Sequence, residues 1–116
     1  MEYKVLGVKA FEKELLKIAR KYPVVVDLVD SLFADFEEGK LYGDRIPRIK
    51  GNVVYKTRLS NPNANKGKSG GFRVIWYLVT DDLEIYPLTI YSKNEQEDIS
   101  VKEITRIIDR ILKNEL

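Results

Sequence analysis

The sequence predicts an α+β domain, a small antiparallel (mixed) sheet packed against an N-terminal helical hairpin and a C-terminal helix. Three observations carry this expectation. Two helical periodicities adjoin near the N-terminus with only Pro23 between them. Three β-branched and aromatic runs, at 53–59, 72–79 and 83–91, are separated by turn formers. An apolar stripe at helical spacing then closes the chain. The predicted order is (β)ααβββα, with helices layered on a sheet.

Each element has its own warrant. Residues 3–8 read as a short first strand. Phe11, Leu15, Ile18 and Tyr22 then recur at spacings of four, three and four, one face of a helix that Pro23 interrupts. A second helix follows with Val25, Leu28, Leu32, Phe33 and Phe36 facing inward, and it ends near Gly39, a residue suited to the left-handed position after a helix. Residues 40–52, with Gly43, Pro47 and Gly51, read as a loop. In the run 53–59, Val54, Lys56 and Arg58 share one face, while Val53, Tyr55, Thr57 and Leu59 share the other. The stretch SNPNANKGKSGG, 60–71, is dense in turn formers and reads as a loop. A second strand spans 72–79, Thr80-Asp81-Asp82 forms a turn, and a third strand spans 83–91, where Pro87 implies an edge or a bulge. Three strands so joined form a meander. Ser100 and Glu103 make a capping-box pattern ahead of the stripe Ile104, Ile107, Ile108, Ile111 and Leu112. No repeat is visible, so one domain over 1–116 is expected.

Composition narrows the chemistry. There are no cysteines and no histidines, which removes a thiol nucleophile, the commonest general acid/base and the commonest metal ligands. Lys, Arg, Tyr, Asp and Glu remain. No segment reads as a targeting signal or approaches the ~20 apolar residues of a membrane span, which predicts a cytoplasmic protein. Charge is unevenly spread. Between Arg45 and Thr80 stand eight basic residues and no acidic one, which leaves twelve basic against eighteen acidic residues elsewhere, a net of −6 behind the overall +2. A third of the chain so polarised fits a polyanionic partner.

The loop at 67–71, Gly-Lys-Ser-Gly-Gly, suggests a phosphate cradle, but it is not that of a nucleotide hydrolase. The first glycine of that motif would fall at Pro62, and the loop leads into a strand instead of a helix. Glycines beside Lys68 still let backbone approach a phosphate closely. In a meander, Lys56, Arg58, Lys68, Arg73, Tyr91 and Lys93 converge from three neighbouring strands. Arg73 stands out, because an arginine among apolar neighbours needs an anionic partner. Paired cations depress each other's pKa, the route by which a lysine becomes a base. Further contacts to a polyanion are expected from Arg48, Lys50, Lys66, Ser69 and Gly70. Tyr91, Trp76 and Tyr77 offer rings for base stacking, although Trp76 and Tyr77 also suit a core. Glu95, Glu97 and Asp98 lack clear metal-ligand spacing and suit the positive end of the last helix. No metal or cofactor is expected.

The segments YKTRL, NKGKSGGFRVIWYL and LTIYSKNEQEDIS, followed by the closing helix, together resemble the RelE superfamily of toxins from type II toxin–antitoxin modules. The likeness is strongest to the HigB-type branch with its GKSGG-x-R signature, and it covers roughly 40–112. It implies a RelE-like fold and an endoribonuclease, an mRNA interferase that cuts mRNA at the ribosome. It also implies a cognate antitoxin, commonly a helix-turn-helix DNA-binding protein. Arg73 matches the arginine that contacts the scissile phosphate, Lys56 and Arg58 the basic pair proposed as base and charge stabiliser, and Lys93 a basic position after the last strand. Many relatives place a catalytic tyrosine where this chain has Ile99, which leaves the acid/base pair open. Two alternatives stand beside the nuclease: a ParE-like toxin that binds a protein such as DNA gyrase, and a degenerate relative that binds only its antitoxin.

Overall fold

A computed structural model describes residues 2–62 and 70–114. The elements are β1 (Lys4–Val5), α1 (Lys9–Lys21), α2 (Val24–Glu37), β2 (Asp44–Ile46), β3 (Val53–Leu59), β4 (Phe72–Val79), β5 (Glu84–Ser92) and α3 (Val101–Leu112). The strands form one five-stranded mixed sheet in the order β1-β5-β4-β3-β2. Its meander β2 to β5 is antiparallel, and β1 adds parallel to β5. This is the expected α+β architecture. One strand, β2, lies inside 40–52, where the sequence reads as loop; its three residues pair with Val54–Lys56 of β3. They carry little strand propensity of their own and are ordered by the partner's free edge.

The helical hairpin forms where the periodicity puts it. Pro23 stands at the N-cap of α2, so the break between the helices is only two residues wide, Tyr22 and Pro23. The end of α2 is a Schellman motif: Gly39, at φ 87°, donates its N–H to the Phe36 carbonyl, and Lys40 donates to that of Asp35. Phe36, wholly buried, sets its ring 4.5 Å from that of Trp76, and Tyr22 meets Phe72 edge-on at 5.7 Å. The hairpin therefore covers the sheet face bearing Phe72 and Trp76. Trp76 and Tyr77 are both buried in the core, and the Trp76 indole N–H donates to Thr57 Oγ1 at 2.9 Å. Inside α2, Val29 is buried while Leu28 and Phe33 are only partly so.

Pro87 sits beside a bulge. The register between β4 and β5 slips between Ile75, opposite Thr89, and Trp76, opposite Pro87, so Leu88 is the extra residue. In α3 the stripe Ile104, Ile107, Ile108 and Ile111 is buried, but Leu112 is 63% exposed: the helix ends there, one residue past the face that packs. The Ser100 hydroxyl caps α3 by accepting the Glu103 N–H at 3.1 Å, while the Glu103 carboxylate turns to Arg106. Ser100→Ala is expected to lower stability by about 1 kcal/mol, read from the urea midpoint. Among the described residues, no helix is long and apolar enough to cross a membrane.

Candidate functional site

Alternation along β4 sends Phe72, Val74 and Trp76 toward the helices and Arg73, Ile75 and Tyr77 to the other face. The ladder then builds a row across three strands: Arg58 on β3 opposes Arg73 on β4, which opposes Tyr91 on β5. Lys56, opposite Ile75, lies two residues along from Arg58 on the same face. Four of the residues expected to converge are thus brought together by strand register alone. Lys93 follows just beyond β5, where its N–H donates to the Gly71 carbonyl at 2.9 Å.

Arg73 is only 6% exposed. Its one hydrogen bond among the described residues runs from Nη1 to the carbonyl of Phe72 at 3.2 Å. No carboxylate lies within 4.0 Å of it among the described residues. A guanidinium so nearly buried, with no counter-charge among the described residues, is costly; its unbonded donors are not shut off from solvent, and an incoming anion that met them would offset that cost. Arg58, its exposed neighbour, likewise has no described carboxylate partner.

The run after β5 supplies a carboxylate that sequence patterning had assigned elsewhere. Asp98 Oδ1 accepts the Tyr91 hydroxyl at 3.3 Å and stands 3.9 Å from Lys56 Nζ. It also accepts the Ile99 N–H at 2.8 Å, and that bond, more than the neighbouring cations, holds its carboxyl below the usual range. Asp98 is therefore ionised at neutral pH. Glu97 pairs with Lys93 at 3.0 Å and Glu95 with Lys21 at 2.8 Å. These acids pair with cations of the fold, while the cap of α3 itself is made by Ser100. Only the contact of Asp98 with β3 and β5, more than forty and seven residues away in sequence respectively, shows this role, so no local pattern could have signalled it. Among the described residues no group of three His, Cys, Asp or Glu is placed to hold a metal.

Burial pushes the Tyr91 hydroxyl up to about 12, Asp98 adds to the rise, and Arg73 opposes it. Tyr91 thus keeps its proton at neutral pH and can donate it. The native state holds this proton where an unfolded chain releases it near pH 10, so stability is intact below ~10 and falls as pH climbs toward about 12. Tyr91→Phe is expected to make that alkaline decline shallower; urea titrations at intervals from pH 9 to 12 read it. Tyr42, Tyr77 and Tyr86 are also raised by burial and account for what decline remains.

The other predicted contacts divide. Arg48 and Lys50 are exposed in the loop before β3, at the end of that strand remote from Arg58, and are not brought beside Arg73. Gly70 is buried next to β4. Lys66, Lys68 and Ser69, with most of the predicted 60–71 loop, lie outside the described residues.

No family model matches the sequence. Among solved structures the chain is similar to a double arginine-to-alanine variant of the E. coli toxin RelE in the free state. The TM-score is 0.51 at 17% identity, over 96% of this chain and 99% of that one. The fold is RelE-like.

Proposed function

We propose that this protein is the toxin of a type II toxin–antitoxin module, of the HigB-like branch, and that it is an endoribonuclease acting on translated mRNA at the ribosome. The observation that carries the reading is Arg73: a buried arginine without a counter-charge among the described residues, in register with Arg58 and Tyr91 on one sheet face. The RelE-like fold supports it, as does the basic third of the chain, which supplies this face.

RNA brings its own nucleophile, the 2′-hydroxyl. As its oxygen bonds to phosphorus, the P–O5′ bond breaks, leaving a 2′,3′-cyclic phosphate and a 5′-hydroxyl. Arg73 and Arg58 stabilise the added negative charge, the kind of contribution that is worth most in a desolvated site. The protonated Tyr91 hydroxyl, or Lys93, serves the departing 5′-oxygen. Lys56 or Lys68 accepts the 2′ proton or positions the hydroxyl; Asp98 fixes the Tyr91 hydroxyl and stands by Lys56. Lys66 and Ser69 extend the contact along the strand of RNA, Arg48 and Lys50 meet it further off, beyond the start of β3, and the buried Gly70 shapes the turn that presents the loop. The scheme calls for no metal or cofactor. The setting is the cytoplasm, with a helix-turn-helix antitoxin as the silencing partner.

The test is to induce the chain alone in a bacterial host and map new mRNA 5′ ends. Growth arrest with new ends at a fixed codon position is the expected result. Arrest with replication stress and no new ends would replace this reading with a toxin that blocks a protein target. An absence of arrest would leave a relative that only binds its antitoxin.

A further inference from the structure

We propose that the groove between the start of α1 and the buried side of α3 binds an acidic, aliphatic-rich segment of a partner protein. The groove has a volume of about 440 Å³. Its aliphatic lining comes from Val8, Ile90, Ile99, Ile107 and Ile111, brought from four parts of the chain. None of Lys56, Arg58, Arg73, Tyr91 and Lys93 borders it, so the inference does not rest on the nuclease reading.

Charge determines the occupant. Lys9, Lys13 and Arg110 stand on the rim, and none has a carboxylate within 4.0 Å among the described residues. The acids that line the same groove are already engaged, Glu14 with Lys17 at 3.3 Å and Glu103 with Arg106. Three cations are therefore left to meet a ligand. The helix beginning here adds a smaller contribution: Val8 at the N-cap of α1 caps no backbone N–H, and Glu12 in the first turn offsets part of that positive end. Thr89 supplies an independent sign. It is 8% exposed, it lines the groove, and its hydroxyl has no hydrogen-bond partner among the described residues. The hydroxyl is open to the groove beside three cations and is suited to a carboxylate or a peptide group.

The lining also discriminates between kinds of anion. No aromatic ring borders the groove, so nucleic-acid bases have nothing to stack on, and a sugar–phosphate chain would leave the aliphatic floor unfilled. A peptide alternating leucine-like and carboxylate side chains fills the floor with the first and meets the rim with the second.

The experiment uses the full chain, labelled for methyl and amide NMR, titrated with an eight-residue peptide alternating leucine and glutamate. The same peptide with lysine for glutamate and an oligouridylate serve as controls. Saturable shifts at Val8, Thr89, Ile107 and Ile111 are expected with the acidic peptide alone. Lys9→Glu combined with Lys13→Glu, both on the exposed side of α1, is expected to weaken binding by at least about tenfold while the rest of the spectrum stays native. Arg73→Ala is expected to leave it unchanged. The proposal is overturned by a lack of saturable binding, by equal binding of the lysine peptide, by indifference to the charge reversal, or by oligouridylate shifting the same methyls.

Discussion

Arg73→Ala is expected to abolish growth arrest and RNA cleavage and to leave a folded protein. The two halves of that result have one cause. A side chain that holds a structure together makes its bonds within that structure. Among the described residues Arg73 makes one, to the carbonyl of the preceding residue, and finds no carboxylate despite being almost wholly buried. Burying such a cation costs stability that only a bound anion would return. Removing it in the free protein therefore relieves one cost while opening a cavity. Arg73→Met, which keeps most of the volume, separates these effects: its thermal midpoint is expected at or above that of the parent chain. Cleavage in both variants should fall by about 10²–10³-fold, the loss seen when one donor to a developing oxyanion is removed. The same midpoint with undiminished cleavage would take Arg73 out of the mechanism. A collapse of the fold in Arg73→Met would make it a structural residue and remove the main support for an anion site on this face.

How far this site was legible depends on whether a residue's surroundings are local. The strands β3 and β4 have the bounds that alternation and composition give them, and their register follows from the meander. Lys56, Arg58, Arg73 and Tyr91 could therefore be placed on one face from the sequence. The Schellman end of α2 and the Ser100 cap were legible for the same reason, since each is a pattern within six residues. β2 was not, because Asp44-Arg45-Ile46 becomes a strand only through β3. Leu112 misled because a helical period says which face a residue is on but not where the neighbouring surface ends. Asp98 was the larger omission. Two residues ahead of a helix cap, an aspartate is amply explained by the helix dipole, and only the folded chain shows it on Tyr91 and near Lys56. The outcome matters chemically. With Asp98 ionised and burial holding Tyr91 protonated, the pair reads as donor and acceptor, which narrows the acid/base question that Ile99 leaves open.

Gly71→Ala is expected to damage stability and cleavage together, in contrast to Arg73→Ala. Gly71 lies at φ 79°, where a side chain is strained, and a Cβ there would collide with the backbone carbonyl of Leu59. The collision partner is the end of β3, so it cannot swing aside as a side chain would. The backbone strain alone costs about 1–3 kcal/mol, and separating the strands to admit the methyl adds to it. The geometry also carries the damage into the site. Gly71 is the last residue before β4, Leu59 pairs with Phe72, and Arg58 with Arg73. Moving Leu59 away therefore shifts the two arginines relative to each other, and the Lys93 N–H loses the Gly71 carbonyl that anchors the end of β5. A displacement of about 1 Å in such an arrangement can lower a rate by ~10². The expected measurement is a lower urea midpoint with cleavage reduced even well below it, where the variant is fully folded. Stability lost with cleavage intact at low urea would mean that the strand ends tolerate the shift and that this glycine serves only the turn. Loss of both places the second glycine of the pair where the sequence first drew attention to it, at a phosphate, through the strand it starts and the arginine two residues on.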